Sequence, residues 1–490
     1  MAEYKHGIET TRDSNVEPEV EKASIAQAVI GTAPINLLDD PAAAVNKVII
    51  INKKEDIAEK IGRCADYDNY TLMQASLVSI EKFGVAPVVM INVLDPKNER
   101  HVTAVAAAEV TLDKGCTKIE KPGILLDTVI VSDATDGSTG ERGTDYEIAF
   151  DADGYVDVAM SKTGKFAEKD KVKIAYTKLK PEGVTEADII GGTDENGVRT
   201  GADLLDEIYM MHNIIPSYIG APKYSMHPTV AAVLEAKAEA IGDKFNVQVF
   251  CDMESTKANT PEKIKEAKDK LGVYGRQTVL AWPTFAIVGG KNVYASCVKM
   301  ALMQYEQQKN SGVPRSIDNV NAKIEGIALQ DGTSKLYTEK QMNNYALAYG
   351  VSTFIYCNGW KSWGDTTAAY PDSDEPNVRS IKSVAVGNWM ENKFKTEYST
   401  EIGRDLSPAN VKSVVENYNF ELTGLTPQYL AGGKIIFDAD ENPESEILKG
   451  NLVFHTMYAD YPTQKYINNR FTWDKSYISQ AMSEVTGGEE

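Results

Sequence analysis

The sequence predicts a multidomain α/β and α+β protein: an α/β core domain with an all-β domain inserted into it, an α+β C-terminal domain, and extended arms at both ends. Three observations predict this. Short β-branched runs alternate with helical patterns through the first hundred residues and again after residue 186. Between about residues 101 and 185 apolar residues recur at every second position, the period of a half-buried strand. After residue 346 two long helical patterns precede a late strand. At 490 residues the chain is too long for a single ordinary hydrophobic core.

Residues 1–20 read as an N-terminal arm. The stretch from Glu9 to Glu19 is polar, has no apolar face of helical period, and cannot bury enough surface to order itself. The core domain is expected over 21–100 and 186–345. Residues 27–31, 47–52 (Val48-Ile49-Ile50-Ile51) and 87–94 are continuous apolar strands, expected to be buried on both faces as in a parallel sheet. Helical patterns lie between them at 54–61 and at 71–83, where Leu72, Ala75, Leu77 and Ile80 share one side.

The character changes at Asp95-Pro96-Lys97-Asn98. From 101 to 185 a β-sandwich-like insertion is expected. Tyr146-Glu147-Ile148-Ala149-Phe150 and Val156-Asp157-Val158-Ala159-Met160 alternate around the turn Asp151-Ala152-Asp153-Gly154, and Val172-Lys173-Ile174-Ala175-Tyr176 alternates again. The α/β pattern then resumes. Leu204, Leu205, Ile208 and Met211 fit one helical face, helices are expected at 229–241, 261–271 and 294–309, and strands at 214–221, 245–251, 278–282 and 284–288. Thr260-Pro261 suits the start of a helix. The C-terminal domain is expected over 346–465, with helices at 378–396 and 408–423 and a strand at 452–459, and a C-terminal arm over 466–490.

Composition narrows the function. The net charge of −20 repels phosphate backbones, which argues against nucleic-acid binding and makes directed association sensitive to salt. No apolar run has the length of a membrane span, and the first residues lack the apolar segment of a secretory signal. Cys64, Cys116, Cys251, Cys297 and Cys357 are scattered and odd in number, as expected of free thiols in a reducing compartment. Tyrosine outnumbers phenylalanine 24 to 12, which suits surfaces wet in one state and buried in another.

Motifs for chemistry are weak. Asp438-Ala439-Asp440-Glu441-Asn442 matches the start of a calcium loop, but Pro443 stands where glycine is needed and Lys449 where the closing glutamate belongs. The Gly- and Asp-rich segment from Asp133 to Asp145 has the composition of a surface turn. Asp203, Asp206, His212, Ser225 and His227 contain the residue types of a hydrolytic triad without a nucleophile motif. Trp360 and Trp363 serve either as an interface anchor or as core packing. No catalytic, cofactor or metal residues are assigned.

Several segments at the two ends carry a family pattern. These are Tyr4-Lys5-His6-Gly7-Ile8-Glu9, the strand from Ile25 to Pro34, and Asn46-Lys47-Val48-Ile49-Ile50-Ile51. Later come Gly359-Trp360-Lys361-Ser362-Trp363-Gly364-Asp365-Thr366-Thr367, the segment from Leu448 to Phe454, Tyr461-Pro462, and the segment from Phe471 to Ile478. In order and spacing they resemble the contractile phage tail sheath family, in the branch of temperate phages and R-type bacteriocins. Thr366 stands where that family has an arginine.

The resemblance implies a structural, non-enzymatic subunit of a virion tail or phage-tail-like particle, assembled in the host cytoplasm. Its copies would form stacked hexameric rings, equivalent to a six-start helix, around an inner tube, with baseplate and tail terminator proteins as further partners and neither nucleic acid nor cofactor. The terminal arms would complete β-sheets of neighbouring copies, through Tyr4, His6, Ile8 and Val16 at one end and Phe471, Trp473, Tyr477 and Ile478 at the other. The 346–465 domain would face the tube. An extended arm of twenty residues spans up to roughly 65 Å. Two other classes fit the composition: an acidic α/β hydrolase, and a self-assembling surface-layer or adhesin subunit.

Overall fold

The computed structural model describes the backbone of residues 25–486 and the side-chain surroundings of residues 25–483. The expected N-terminal arm, with Tyr4, His6, Ile8 and Val16, lies outside the described residues.

Strand β1 (Ile25–Gly31) is followed by β2 (Val48–Ile51), helix α1 (Lys54–Lys60), helix α2 (Thr71–Ala75) with a π-helical continuation to Phe83, and β3 (Val88–Asn92). The chain then runs through β4 (Val102–Thr111), β5 (Cys116–Ile119), β6 (Ile130–Asp133), β7 (Tyr146–Phe150), β8 (Val156–Met160) and β9 (Lys171–Leu179). Next come α3 (Glu186–Ile190), the ribbon β10 (Gly192–Thr193) and β11 (Arg199–Thr200), α4 (Ile208–His212), β12 (Ile215–Gly220), α5 (Pro228–Glu239), β13 (Gln248–Asp252), α6 (Ile264–Leu271) and β14 (Thr278–Ala281). The hairpin β15 (Phe285–Val288) and β16 (Lys291–Tyr294) leads into α7 (Ala295–Lys309), β17 (Gly326–Ala328), α8 (Glu339–Tyr345), β18 (Val351–Tyr356) and β19 (Trp360–Trp363). The last part holds α9 (Pro376–Arg379), α10 (Ile381–Glu397), α11 (Pro408–Leu425), β20 (Leu430–Ile436), α12 (Glu444–Ile447), β21 (His455–Asp460) and α13 (Ser476–Thr486).

The centre is one eight-stranded sheet in the order β19-β18-β14-β13-β12-β1-β3-β2. Its six inner strands are parallel and apolar on both faces, as their uninterrupted sequences require. The two edges are antiparallel. β2 therefore departs from expectation: Val48, Ile49 and Ile50 are only half-buried, because the strand has a neighbour on one side alone. Lys60 Nζ donates to Ile50 O at 2.9 Å and places a charge at that edge, a device that discourages further pairing.

The aromatic segment 358–364 also departs from expectation. It is the far edge of this sheet rather than the opening of the C-terminal part, because Val351–Ile355 is a fully buried run that pairs with β14. The third region therefore separates after Gly364, not at 346. Trp360 Nε1 donates to Glu325 O (3.0 Å) and Trp363 Nε1 to Asn343 Oδ1 (2.7 Å), and both indoles lie half-buried against the core. Met211, placed with Leu204, Leu205 and Ile208 on one helical face, is instead exposed, since the segment 201–207 is a 3₁₀ helix and the periodicity shifts at α4.

Helix α7 lies across the sheet and is buried nearly all round. Its polar side chains are therefore all spoken for. Gln304 Oε1 accepts from Gln27 Nε2 of β1 (2.8 Å), and Gln307 accepts from the Tyr218 hydroxyl (2.7 Å). Lys299, fully buried, donates to Ser352 Oγ, Thr353 O and Ser362 Oγ at 2.7, 2.6 and 2.7 Å. Those three acceptors match the three donors of an ammonium group and fasten the β18–β19 hairpin to α7.

Strands β4 to β9 form two three-stranded sheets, β4-β9-β6 and β5-β8-β7, around a separate apolar cluster that includes Val131, Ile148, Val158, Phe166 and Val172. The expected hairpin is present, with Tyr146–Phe150 paired to Val156–Met160. The chain enters and leaves this part through one antiparallel pair, Val102 opposite Leu179. The third region has its own small cluster, built from Val386, Met390, Tyr418, Leu422, Leu430 and Ile435. Among the described residues, no helix is long and apolar enough to cross a membrane.

Candidate assembly surface

Helix α10 joins the third region to the sheet. Ile381 and Ala385 pack with the main core, whereas Val386 and Met390 belong to the separate cluster. Between them α10 meets β13 and β14 through amides. Gln277 and Asn388 exchange two hydrogen bonds (3.1 and 2.7 Å), Asn392 bridges the backbone N–H and C=O of Asn246 (3.0 and 2.6 Å), and Gln248 donates to Ile381 O (2.9 Å). Gly387 permits close approach on the opposite side: a Cβ there would lie 2.7 Å from the Tyr458 hydroxyl.

Strands β20 and β21 form a two-stranded antiparallel ribbon that covers α11. Its two edges are not equivalent. On the β20 side Asn419 of α11 accepts from Ile435 N–H (3.0 Å) and donates to Ile435 O (2.9 Å), which covers that edge. Because Ile435 uses its backbone outward, the opposing Thr456 of β21 also points its N–H and C=O away from the ribbon. Tyr458, two residues on, does the same. The β21 edge thus presents a row of backbone donors and acceptors beside exposed Met457 and Tyr458.

The chain beyond β21 is exposed. Tyr466, Ile467, Phe471 and Trp473 are 82, 74, 91 and 78% accessible, values that no isolated soluble surface needs for four large apolar side chains in so short a segment. Residues 461–475 have no regular structure. Tyr477 and Ile478, expected in an extended arm, stand exposed on helix α13 instead.

Apart from His212, whose buried Nε2 has no hydrogen-bond partner among the described residues, the residues considered for other chemistry are occupied elsewhere. Ser225 Oγ accepts from Asp252 N–H (3.1 Å), His227 Nδ1 faces Glu186 (3.0 Å), and Asp203 and Asp206 converge on Lys237. These contacts do not assemble a triad. The C-terminal ends of the parallel strands, where an open α/β sheet places its ligands, are filled by structural side chains. Asp252, at the end of β13, accepts from Ser296 N–H and Oγ (2.8 and 2.7 Å), and burial pushes its carboxyl up to about 7. Asn92, at the end of β3, spends its amide on Ala33, Ala44 and Leu94.

In the acidic segments the carboxylates serve their own turns. Asp438 accepts from Asp440 N–H (3.0 Å), Asp133 pairs with Lys169 (2.7 Å), and Asp145 accepts from the N–H groups of Glu141 and Lys165 (both 2.9 Å). Among the described residues, no three metal-ligating side chains converge.

Over a 510-residue alignment that covers 99% of both chains, the sequence is 25% identical to the tail sheath protein of Burkholderia phage BcepMu. The chain is similar end to end to a phage tail sheath protein. It is also 27% identical over 306 residues to the major tail sheath protein of Serratia phage KSP20, covering 61% of this chain and 74% of that one. No protein-family model matches. Among solved structures, the fold is similar to a chain of the sheath complex of the extracellular contractile injection system PVC in its contracted state, with a TM-score of 0.57 at 12% identity over 97% of this chain and 99% of that one. It is similar as well to a chain of the anti-feeding prophage baseplate, with a TM-score of 0.55 at 13% identity over 96 and 100%. This chain shares the fold of those two chains along nearly its whole length.

The β21 edge and the amide joint escape a reading of the sequence. Asn419, Asn388 and Gln277 sit in ordinary helical or strand context. A signal for Lys299 was present: a lone lysine inside Val298-Lys299-Met300-Ala301-Leu302-Met303.

Proposed function

We propose that this chain is the structural subunit of a contractile tail sheath, which polymerises around an inner tube and contracts to drive that tube through a target cell envelope. The observation that carries this reading is the β21 edge, unpaired among the described residues, beside an exposed aromatic tail, in a chain similar end to end to a tail sheath protein. The partners are further copies in stacked hexameric rings or a six-start helix, the tube protein, and baseplate and terminator proteins. Strand addition supplies backbone hydrogen bonds with little demand on sequence, so the arms of one copy suit the β21 edge of another. Tyr4, His6, Ile8 and Val16 are assigned to the N-terminal arm, and Phe471, Trp473, Tyr477 and Ile478 to the C-terminal one. In the second arm, addition as a strand requires the helical segment after Ser476 to stay outside the paired stretch or to unwind. The energy for contraction lies in the difference between two sets of subunit contacts.

We assign the third region to the tube-facing side and the β4–β9 part to an inserted outward-facing domain. Val102 and Leu179 are paired neighbours, so a short turn can join them once the intervening residues are removed. A chain with 103–178 replaced by such a turn is expected to fold and polymerise. Aggregation of that variant would show that the core needs the insertion.

Negative-stain images of the purified full chain test the function. Striated hollow cylinders are expected. Flat lattices would favour a surface-layer subunit, and discrete particles at every salt concentration would leave the sheath reading without support.

A further inference from the structure

The route from the eight-stranded sheet to the β21 ribbon passes through residues 364–380, and three charged side chains are stationed along it. The first is Lys268 of α6, which is 2% exposed. Its Nζ donates to Tyr349 O, Ala368 O and Tyr370 O at 2.9, 2.6 and 2.7 Å. All three donors of the ammonium thus hold backbone, and two of the three carbonyls belong to the connecting segment. The same segment is sewn at neighbouring points: Ala368 N–H donates to Thr278 O of β14, and Thr367 binds Arg379 O and Val378 O through its N–H and hydroxyl (2.8 Å each).

The second is Asp365, also 2% exposed, whose carboxylate accepts from Ser380 Oγ (2.7 Å) and from Lys382 N–H (3.0 Å). It therefore grips the first turn of α10. The third is Lys382 on that turn. It pairs with Asp460, the last residue of β21, at 2.8 Å, and it donates to Tyr461 O at the root of the tail. Ser383 Oγ donates to Asp460 as well (2.9 Å). Each charge lies next in line: core helix, connecting segment, start of α10, end of β21.

The rest of the joint would not resist a pull by itself. Only one side of α10 meets the main core, and the amides of Gln248, Gln277, Asn246, Asn388 and Asn392 make up much of that contact. Polar joints of this kind permit relative motion of the bodies they connect. Burying Lys268 among carbonyls, where an apolar residue would pack at lower cost, is explained if the site must hold a chain segment in place.

We infer that Lys268, Asp365 and Lys382 form a clasp that couples the β21 ribbon mechanically to the eight-stranded sheet, so that a pull on the tail moves the whole subunit as one body. The pull itself rests on the sheath reading; the clasp does not.

The test is hydrogen exchange on the soluble full-length monomer, which needs no polymer. In Lys268→Met, exchange in residues 365–380 is expected to rise at least about tenfold, and in Lys382→Met, whose side chain holds Asp460 and Tyr461, exchange in the β20–β21 ribbon is expected to rise as much, while β12 and β13 stay protected in both. Lys382 lies outside the main core, so its variant remains readable even if Lys268→Met loosens the sheet. Wild-type exchange in the β20–β21 ribbon of Lys382→Met would overturn the clasp, and so would a uniform rise across all strands in both variants. If the variants loosen as expected and the wild-type chain forms no cylinders, the clasp stands and the sheath function falls.

Discussion

A chain ending after Lys465, which keeps Thr463 beside Asp365, is expected to fold with wild-type stability and to form no sheath. The three apolar clusters contain no residue beyond Phe454, so the truncation removes nothing from a core. It keeps Asp460 and Tyr461 and with them the contacts of Lys382. Its effect on folding free energy should stay within about 0.5 kcal/mol, as for surface changes away from packed features. Its effect on assembly should be complete, because Tyr466, Ile467, Phe471 and Trp473, exposed on the single subunit, are the residues proposed to be buried on another copy. Light scattering after gel filtration, together with electron microscopy, reads both. Cylinders of normal length from the truncated chain would remove the tail from the account.

The second large effect concerns Lys299. Replacing it by alanine leaves a cavity and strips Ser352 Oγ, Thr353 O and Ser362 Oγ of their common donor, for a loss of about 3–5 kcal/mol. Its pH dependence is diagnostic. Burial lowers the Lys299 ammonium from 10.5 to about 7 in the folded chain. Below pH 7 both folded and unfolded chains carry the proton, and this group adds no slope. Between 7 and 10.5 the unfolded chain holds more protons, so stability rises with pH by about 1.4 kcal/mol per unit from this residue. Lys299→Met should lack that rise. Urea unfolding of both proteins at pH 7 and 9 compares the slopes, and parallel behaviour would contradict the assignment.

Much of the fold was legible because the inner strands are buried on both faces and say so in sequence. Val88-Val89-Met90-Ile91 and Val249-Phe250-Cys251 can be little else. The alternation in 146–160 likewise fixed a hairpin and its register. What the local pattern lacks is information about neighbours. Val48–Ile51 reads like an inner strand and is an edge, because nothing in four apolar residues tells which side will find a partner. Residues 351–363 look like the start of a new region after Gly350, but their pairing with β14 is a contact across seventy residues of chain, roughly, and invisible to a local pattern.

For the surface, the aromatic character of 461–478 was plain in sequence, and its exposure agrees with a role outside the subunit. The asymmetry of the ribbon was not, since it depends on a single asparagine, Asn419, reaching one backbone residue sixteen positions away. Lys268, Asp365 and Lys382 are equally silent: a lysine on a charged helix and an aspartate in a polar loop are normally solvated.

A helical reconstruction of the assembled wild-type polymer decides the matter most directly. The account predicts that residues 466–475 of each copy leave their own subunit and that the outer backbone of Thr456 and Tyr458 is paired with an arm from a different copy. A reconstruction in which the tail turns back onto its own α10 and α11, leaving the β21 edge bare, would contradict it.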